Sequence, residues 1–523
     1  MRMFRPVKVL IAVMSAMALT ACGMGDLLDD PLTPGSGSSF NGDLSIVAAT
    51  ELKPLEPVLD DASRDLGFDI SMTTEDGTLA NSRTLKQGGF DGSYDATWFA
   101  TNRYARIIGA DSKLGKEFSV ARSPVVLGVQ SSVANEKGWT TTQPTWQDIA
   151  DSGITFGMTD PTTSNSGFSA LSAATTAFAD TGRALSEKDI RQATGKVQKL
   201  FSNQTLTSGS SGWLADRFRE HPEQADAIFN YESVLYQLKD EGADLEVVIP
   251  SDGVISADYP LSALASSKNN DAEGKVQALA EWFGEHPEKL KDYHLRVDDS
   301  DLPGTVFELP YPANEKTVDA LGDAFAHELR NPGNTALVLD TSGSMEGERI
   351  DLLKSSLRPL IDGSADGSPD GEGQVAFRNR EQIKLIPYSS EPQQPTRARV
   401  DKDNPATTKE LADRVDRLVA DGDTATFEAV LNAFDEVDTA NGDIGTVVLM
   451  TDGEVTRGRT FAQFKKDYEQ LPPEKQEIPV FVILYGEANI QEMQELAELT
   501  GGKTFDALNG DLAAAFEEIR AYQ

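Results

Sequence analysis

Two apolar runs that each end on an aspartate constrain this chain more than any other feature: TALVLD (335–340) and TVVLMTD (446–452). Short runs of Val, Leu and Met bounded by turn residues read as strands covered on both faces, as in a parallel sheet flanked by helices. Helical spacing at 349–360, 408–419, 426–437 and 490–499 alternates with further strand runs at IKLIPYS, VFVILYG and KTFDA, and a last helix is expected to run to Tyr522. In a doubly wound sheet, ligands bind just outside the carboxyl ends of the strands. If the two runs are parallel neighbours, Asp340 and Asp452 reach the same edge. Ser342 and Ser344 follow Asp340 at once, and ADGDTATFEA adds Thr424 on a loop leading into a helix. Two carboxylates and three hydroxyls form an all-oxygen set suited to a hard cation: Mg²⁺, or Ca²⁺ or Mn²⁺. Neutral hydroxyls leave such an ion short of negative charge, so the site is built to be completed by an anionic oxygen from outside.

D-T-S-G-S at 340–344, then Thr424, then T-D-G at 451–453 resemble, in order and spacing, the metal-ion-dependent adhesion site of von Willebrand factor A domains. The resemblance covers roughly 334–523 and implies a Rossmann-like domain. It further implies Ser342, Ser344 and Thr424 as direct ligands in turn with conformation, Asp340 and Asp452 acting mainly through water, and a protein partner presenting a carboxylate. Thr426 competes for the threonine role, but T-A-x-F-E-A matches the family's T-x-x-Y-D-A at Thr424. Catalytic readings fit less well. An Asp340 nucleophile of the haloacid dehalogenase kind needs a second aspartate where Ser342 stands, and neither G-x-S-x-G nor H-E-x-x-H occurs. The four histidines, 221, 286, 294 and 327, are scattered; His221 and His286 precede Pro-Glu, as at helix starts. The expectation is a binding protein and not an enzyme, with a metal-assisted hydrolase as a remote alternative. DGSADGSPDGEG (362–373) echoes a calcium loop through Asp362, Ser364, Asp366 and Gly367. Gly373 stands where the bidentate glutamate belongs, so the segment reads as a solvated loop.

The same alternation of elements starts much earlier. LSIVAAT, a helical stretch ending on Gly67, FDISMTT, a helix at 79–87 and YDATWFAT are followed by SPVVLGV, ITFGMT, AIFNYESVLYQL and LEVVIP. This suffices for two α/β lobes with mainly parallel sheets. VAATEL, YDATWFATNRY, SPVVLGV, TSNSGFSAL, NYESVLYQL and ISADYPLSAL resemble type II solute-binding proteins, the exported receptors of ABC importers, over about 43–310. Thr50, Thr101, Ser164, Asn165 and Ser166 sit where helices begin, and Tyr231 and Tyr259 are candidate cleft walls. Free backbone N–H groups at helix starts favour an anionic or oxygen-rich solute. Helix capping is the competing role for the same hydroxyls.

At 523 residues the chain exceeds one hydrophobic core, and its net charge of −37 argues against nucleic acid. MRMFRPVKVLIAVMSAMALTAC has three basic residues, then an apolar run too short for an ordinary membrane span: a secretory signal. Its end, L-T-A-C, resembles the lipobox of bacterial lipoproteins, which implies cleavage after Ala21 and acylation (a palmitate-type anchor) at Cys22. Loss of three basic residues takes the net charge to −40. The expected organisation is signal peptide 1–21, flexible tether 22–42, solute-binding domain 43–310, helical linker 311–332 and A domain 333–523. The expected role is metal-dependent adhesion on the extracytoplasmic face of a bacterial membrane, lipid-anchored, with small-solute binding beside it. The alternative is an ABC-importer receptor with an accessory A domain.

Overall fold

The computed structural model describes Phe40 and residues 42–298, 301–364, 376–402, 404–440, 442–486, 488–507, 515–516 and 519. Cys22 and the signal lie outside the described residues, as do the tether up to Ser39 and most of the 362–373 loop. Phe40–Gln523 is one compact unit.

β1 (Leu44–Ala48), β2 (Ile70–Thr73), β3 (Ala96–Trp98) and β4 (Leu114–Ser119) open the first lobe. The chain then crosses into a second lobe containing β5 (Ser123–Gln130), β6 (Phe156–Thr159), β7 (Gln204–Ser208), β8 (Ala227–Tyr231), β9 (Leu245–Val248) and β10 (Ser256–Ala257). It returns through β11 (Pro260–Leu264), which slots between β3 and β4 to give the order β2-β1-β3-β11-β4. Two short crossings, after Ser119 and around Tyr259, therefore join the lobes as a two-stranded hinge. The lobe sheets are mixed, where mainly parallel sheets were expected. β11 is antiparallel to β3 and β4, and β5 is antiparallel to β8, β9 and β10. Strands that enter from the other lobe run against those built within it. Tyr259 holds a positive φ of 37° at the hinge, unusual for a bulky residue, and its carbonyl accepts from the buried Trp98 indole N–H at 3.2 Å.

Local sequence explains the elements around the interlobe space. The helix Glu56–Leu66 buries Val58, Leu59 and Ala62 and stops on Gly67 in the left-handed conformation. Ser186 and Asp189 form a reciprocal capping box at the start of Glu187–Phe201.

A third sheet follows: β12 (Gly333–Asp340), β13 (Gln382–Tyr388), β14 (Thr396–Arg399), β15 (Ile444–Thr451), β16 (Val480–Leu484) and β17 (Thr504–Asp506). Its order is β14-β13-β12-β15-β16-β17, all parallel except the edge strand β14. Alternation along β12 sends Leu337 and Leu339 into one core, with Leu353 and Leu357, and Ala336 and Val338 into another, with Phe427 and Phe434. Helices cover both faces, as the uninterrupted apolar runs require.

The linker helix Glu315–Ala324, capped by Asn314, continues as a π-helical turn, Phe325–Leu329. Phe325 meets Phe201 of the second lobe at 5.4 Å. Arg380, just before β13, donates to the carbonyls of His327 and Arg330 at 3.0 and 2.7 Å. Arg378 pairs with Asp160 of the second lobe at 3.5 Å, both buried. The two arginine contacts lie at the amino ends of the third sheet's strands, just before β13. Eight residues of β12 place the carboxyl edge ~25 Å from them.

Candidate functional site

β12 and β15 pair in parallel with Leu339 opposite Met450, so Asp340 and Asp452 emerge on the same edge. The loop after Asp340 is locked from several sides. Thr341 donates through both its backbone N–H and its hydroxyl to the Tyr388 carbonyl at 2.8 Å. The Ser342 N–H and hydroxyl donate to Asp340 Oδ1 at 2.9 and 2.6 Å, and the Ser342 and Ser344 hydroxyls lie 3.1 Å apart. The loop carrying Thr424 is laced to this one: Gly343 N–H donates to the Gly422 carbonyl at 2.9 Å, and Asp421 N–H to the Thr341 carbonyl at 2.8 Å. Thr424 is buried, its N–H bonded to the Thr456 hydroxyl at 2.9 Å. Thr426 stands one contact further back: its hydroxyl pairs at 3.1 Å with the Tyr388 hydroxyl, which in turn reaches Asp340. After Asp452, Gly453 takes φ +87°, and a side chain there would strike the Ala488 carbonyl, so the turn demands glycine.

Asp340 is wholly buried, and its Oδ2 accepts from Thr451 at 2.6 Å and from the Tyr388 hydroxyl at 3.2 Å. Burial pushes its carboxyl up to about 6 against the pull of those hydrogen bonds, and the charge of Asp452 adds to the rise. Asp452 is buried too, but Oδ2 meets the Arg349 guanidinium at 2.7 Å. Arg349 Nη1 also donates to the Ser344 carbonyl at 2.9 Å. A buried carboxylate short of countercharge, hydroxyl oxygens gathered beside it and a second carboxylate at the rim fit a hard cation with oxygen ligands. Arg349 is the chain's own countercharge at that rim.

The second candidate site lies between the lobes, where the carboxyl ends of both sheets face each other. A cleft of about 720 Å³ is lined by Thr50, Glu51 and Glu75 on one side and Ser210, Trp213 and Val234 on the other. Tyr231 and Tyr259 are buried, their rings 6.1 Å apart, and Tyr259 donates to Glu51 Oε1 at 3.4 Å. Asn165 donates to the Tyr231 hydroxyl at 2.9 Å. Burial pushes the Glu51 carboxyl up to about 7, while bonds from its own backbone and from Tyr231, Tyr259 and Thr50 pull it down. Of the seven residues expected at a solute site, only Thr50 borders this cleft. Thr101, Ser164, Asn165 and Ser166 are buried and do not line it. Capping does not account for Ser164, whose side chain makes no cap bond and instead meets the Ser166 hydroxyl at 3.3 Å. Ser166 in turn bonds Thr159 and Ser211 at 2.8 Å.

A carboxyl raised from 4.5 to about 7 has a definite linkage sign. The folded state holds the Glu51 proton where the unfolded state releases it, so the contribution is full below pH 4.5 and is lost as pH rises through 7. The loss is on the order of 3 kcal/mol at most. Glu51→Gln is expected to flatten that part of the slope; urea midpoints at pH 5 and pH 8 for both proteins check it.

Residues 47–281 match the family described as bacterial extracellular solute-binding protein, and residues 334–518 match the von Willebrand factor type A domain. The chain joins a solute-binding domain to an A domain. It is similar to an uncharacterized protein of Synechocystis sp., 29% identical over 168 residues, which cover 32% of this chain and 35% of that protein. It is also similar to human inter-alpha-trypsin inhibitor heavy chain H4, 30% identical over 138 residues, covering 25% of this chain and 13% of the relative. The chain thus spans about a third and about an eighth of these relatives' lengths. Among solved structures it is similar to a periplasmic thiamin binding protein (13% identity, TM-score 0.43, 55% of this chain and 95% of that one). The sulfate-binding protein SubI of Mycobacterium tuberculosis follows (19%, 0.40, 54% and 96%), as does a von Willebrand factor type A protein of Catenulispora acidiphila (19%, 0.28, 37% and 42%).

The solute-binding domain is bilobal and of the type II periplasmic-binding-protein kind, and the A domain is a doubly wound, mainly parallel sheet. Sequence reasoning missed Glu51, although it stands inside the VAATEL stretch at the first strand end; an acidic residue directly after a buried strand was the available signal. It also missed Arg349, whose contact with Asp452 spans 103 positions and leaves no local trace.

Proposed function

We propose that this is a lipid-anchored extracytoplasmic binding protein whose A domain engages a protein partner through a divalent cation. Asp340, Ser342, Ser344, Thr424 and Asp452 would hold that cation, Mg²⁺ or else Ca²⁺ or Mn²⁺. When bound, it supplies an electrophilic point for a carboxylate of the partner. The rest is done by the chain. Thr451 and Tyr388 fix Asp340, Ser342 is oriented by Asp340, and the 341–343 and 421–424 loops brace each other. The observation that carries this reading is the convergence of the Asp340 and Asp452 loops at the sheet edge remote from the solute-binding domain, where a partner has room. The test is capture of extracellular proteins on the immobilised chain. Binding is expected in Mg²⁺ but not in EDTA, and not with Ser342→Ala; capture indifferent to both contradicts it. Anchoring rests on the cysteine-ended signal. Cys22→Ser is expected to move the protein from the membrane to the soluble exported fraction, and equal membrane retention would count against it.

A second reading is favoured by one feature, the two-stranded hinge with a 720 Å³ cleft between the lobes: a substrate receptor of an ABC importer, with the A domain accessory.

A further inference from the structure

We infer that the interlobe cleft takes an organic ammonium compound, a protonated or quaternary amine, with Glu51 as its charge partner and Trp213 as its ring face. This rests on the solute-binding reading and names the class of solute. The cleft wall carries five carboxylates, Glu51, Glu56, Glu75, Asp216 and Glu241, against two cations, Lys53 and Arg219. Arg219 is held by Asp216 at 2.8 Å and by Glu241, so its charge is already engaged. An anion entering here meets net repulsion; a cation meets attraction.

The deep end points the same way. Glu51 Oε1 receives the Tyr259 hydroxyl at a long 3.4 Å and Oε2 the Thr50 hydroxyl at 3.5 Å, beside bonds from Tyr231 and its own backbone, and above about pH 7 its carboxylate is the charge set at this end of the cleft. Next to its phenol neighbour Tyr231, Asn165 Oδ1 is a buried acceptor with no hydrogen-bond partner among the described residues. It stands behind the cleft wall, and what this acceptor lacks is a donor. At the mouth, Trp213 is 54% exposed, unusual for an indole, and the chain itself places the Lys503 ammonium 5.4 Å from that ring. The surface is one on which a cation settles. Pro54, Val234 and Leu238 supply apolar wall for a carbon skeleton. Of the helix starts that favour anions at sequence level, the one at Ser164 is closed off, with Ser164 and Ser166 spent on each other and on Thr159 and Ser211.

Thermal melting and titration calorimetry of the exported chain with spermidine, choline, sulfate and glucose test this. Spermidine or choline is expected to raise the melting temperature, and Glu51→Gln, which keeps the hydrogen-bonding shape, to weaken that binding about tenfold or more. Trp213→Ala is expected to weaken choline more than spermidine. Amine binding unchanged in Glu51→Gln would show only attraction to an acidic surface and overturn the inference. A response to sulfate or glucose with both amines silent overturns the ammonium class but keeps a solute-binding cleft. Silence from all four overturns both.

Discussion

Saturating Mg²⁺ is expected to raise the melting temperature of the A domain in the exported chain, and Asp452→Asn to abolish the rise. Asp340 is wholly buried, with its carboxyl pushed up to about 6, chiefly by desolvation and further by Asp452. A cation among the five oxygen-bearing side chains removes both penalties. At ~100 times its dissociation constant it contributes about 2.7 kcal/mol, or ~5–10 °C for a domain of this size. Arg349 decides the signs in EDTA. Its guanidinium already sits on Asp452 at 2.7 Å but is 40% exposed, so the pair contributes only ~0–1 kcal/mol. Asp452→Asn loses that small term while relieving Asp340, and the metal-free domain should melt nearly unchanged. Arg349→Gln removes the countercharge and leaves both carboxylates, so the metal-free domain should melt lower and respond more strongly to Mg²⁺. Ser342→Ala loses a 2.6 Å bond to Asp340 and should both lower the metal-free melting temperature and blunt the response. Melting curves in EDTA and in excess Mg²⁺ for the four proteins check the pattern. If the site held only a capped strand end, Mg²⁺ would move none of them.

The second large effect lies behind the cleft. Glu232 and Arg296 are 0% and 2% exposed and paired side-on, with Nε to Oε2 at 2.6 Å and Nη2 to Oε1 at 2.8 Å. Arg296 also donates to the Leu302 and Pro303 carbonyls at 3.3 Å, tying the last segment of the solute-binding domain to the helix Glu232–Asp240 that follows β8. Glu232→Ala leaves a buried guanidinium without its carboxylate and is expected to cost ~3–5 kcal/mol in urea denaturation. Replacing both residues by Met removes the two charges together and should cost much less, because the pair's own desolvation offsets most of its attraction. A loss below ~1 kcal/mol for Glu232→Ala would mean that water replaces the carboxylate. Tyr231 precedes Glu232, so the same variant is expected to disturb the cleft.

The strands of the A domain were legible because they are buried on both faces. TALVLD and TVVLMTD have no polar alternation to obscure them, and their parallel pairing followed from the helices between them. Edge strands were not: LGKEFS in β4 and TRAR in β14 alternate with charged, exposed residues and carry no apolar run. The two-residue β10 is too short for any periodic signal. The helix Glu187–Phe201 had its signal in the Ser186/Asp189 capping box, which went unused. Of the expected helix running to Tyr522, the described residues show only Ala515, Phe516 and Ile519 as helical. The aspartate and serine loop was readable because its residues are adjacent in sequence. Glu51, Tyr231 and Tyr259 meet only when two lobes close, across up to 208 positions, and no local pattern encodes that.

Titration of Mn²⁺ into the exported chain, followed by electron paramagnetic resonance, measures the central claim most directly. The account predicts one tightly bound ion per chain, displaced by Mg²⁺, weakened in Ser342→Ala and lost in Asp452→Asn. Binding that is absent in the wild type, or that persists unchanged in both variants, would contradict it.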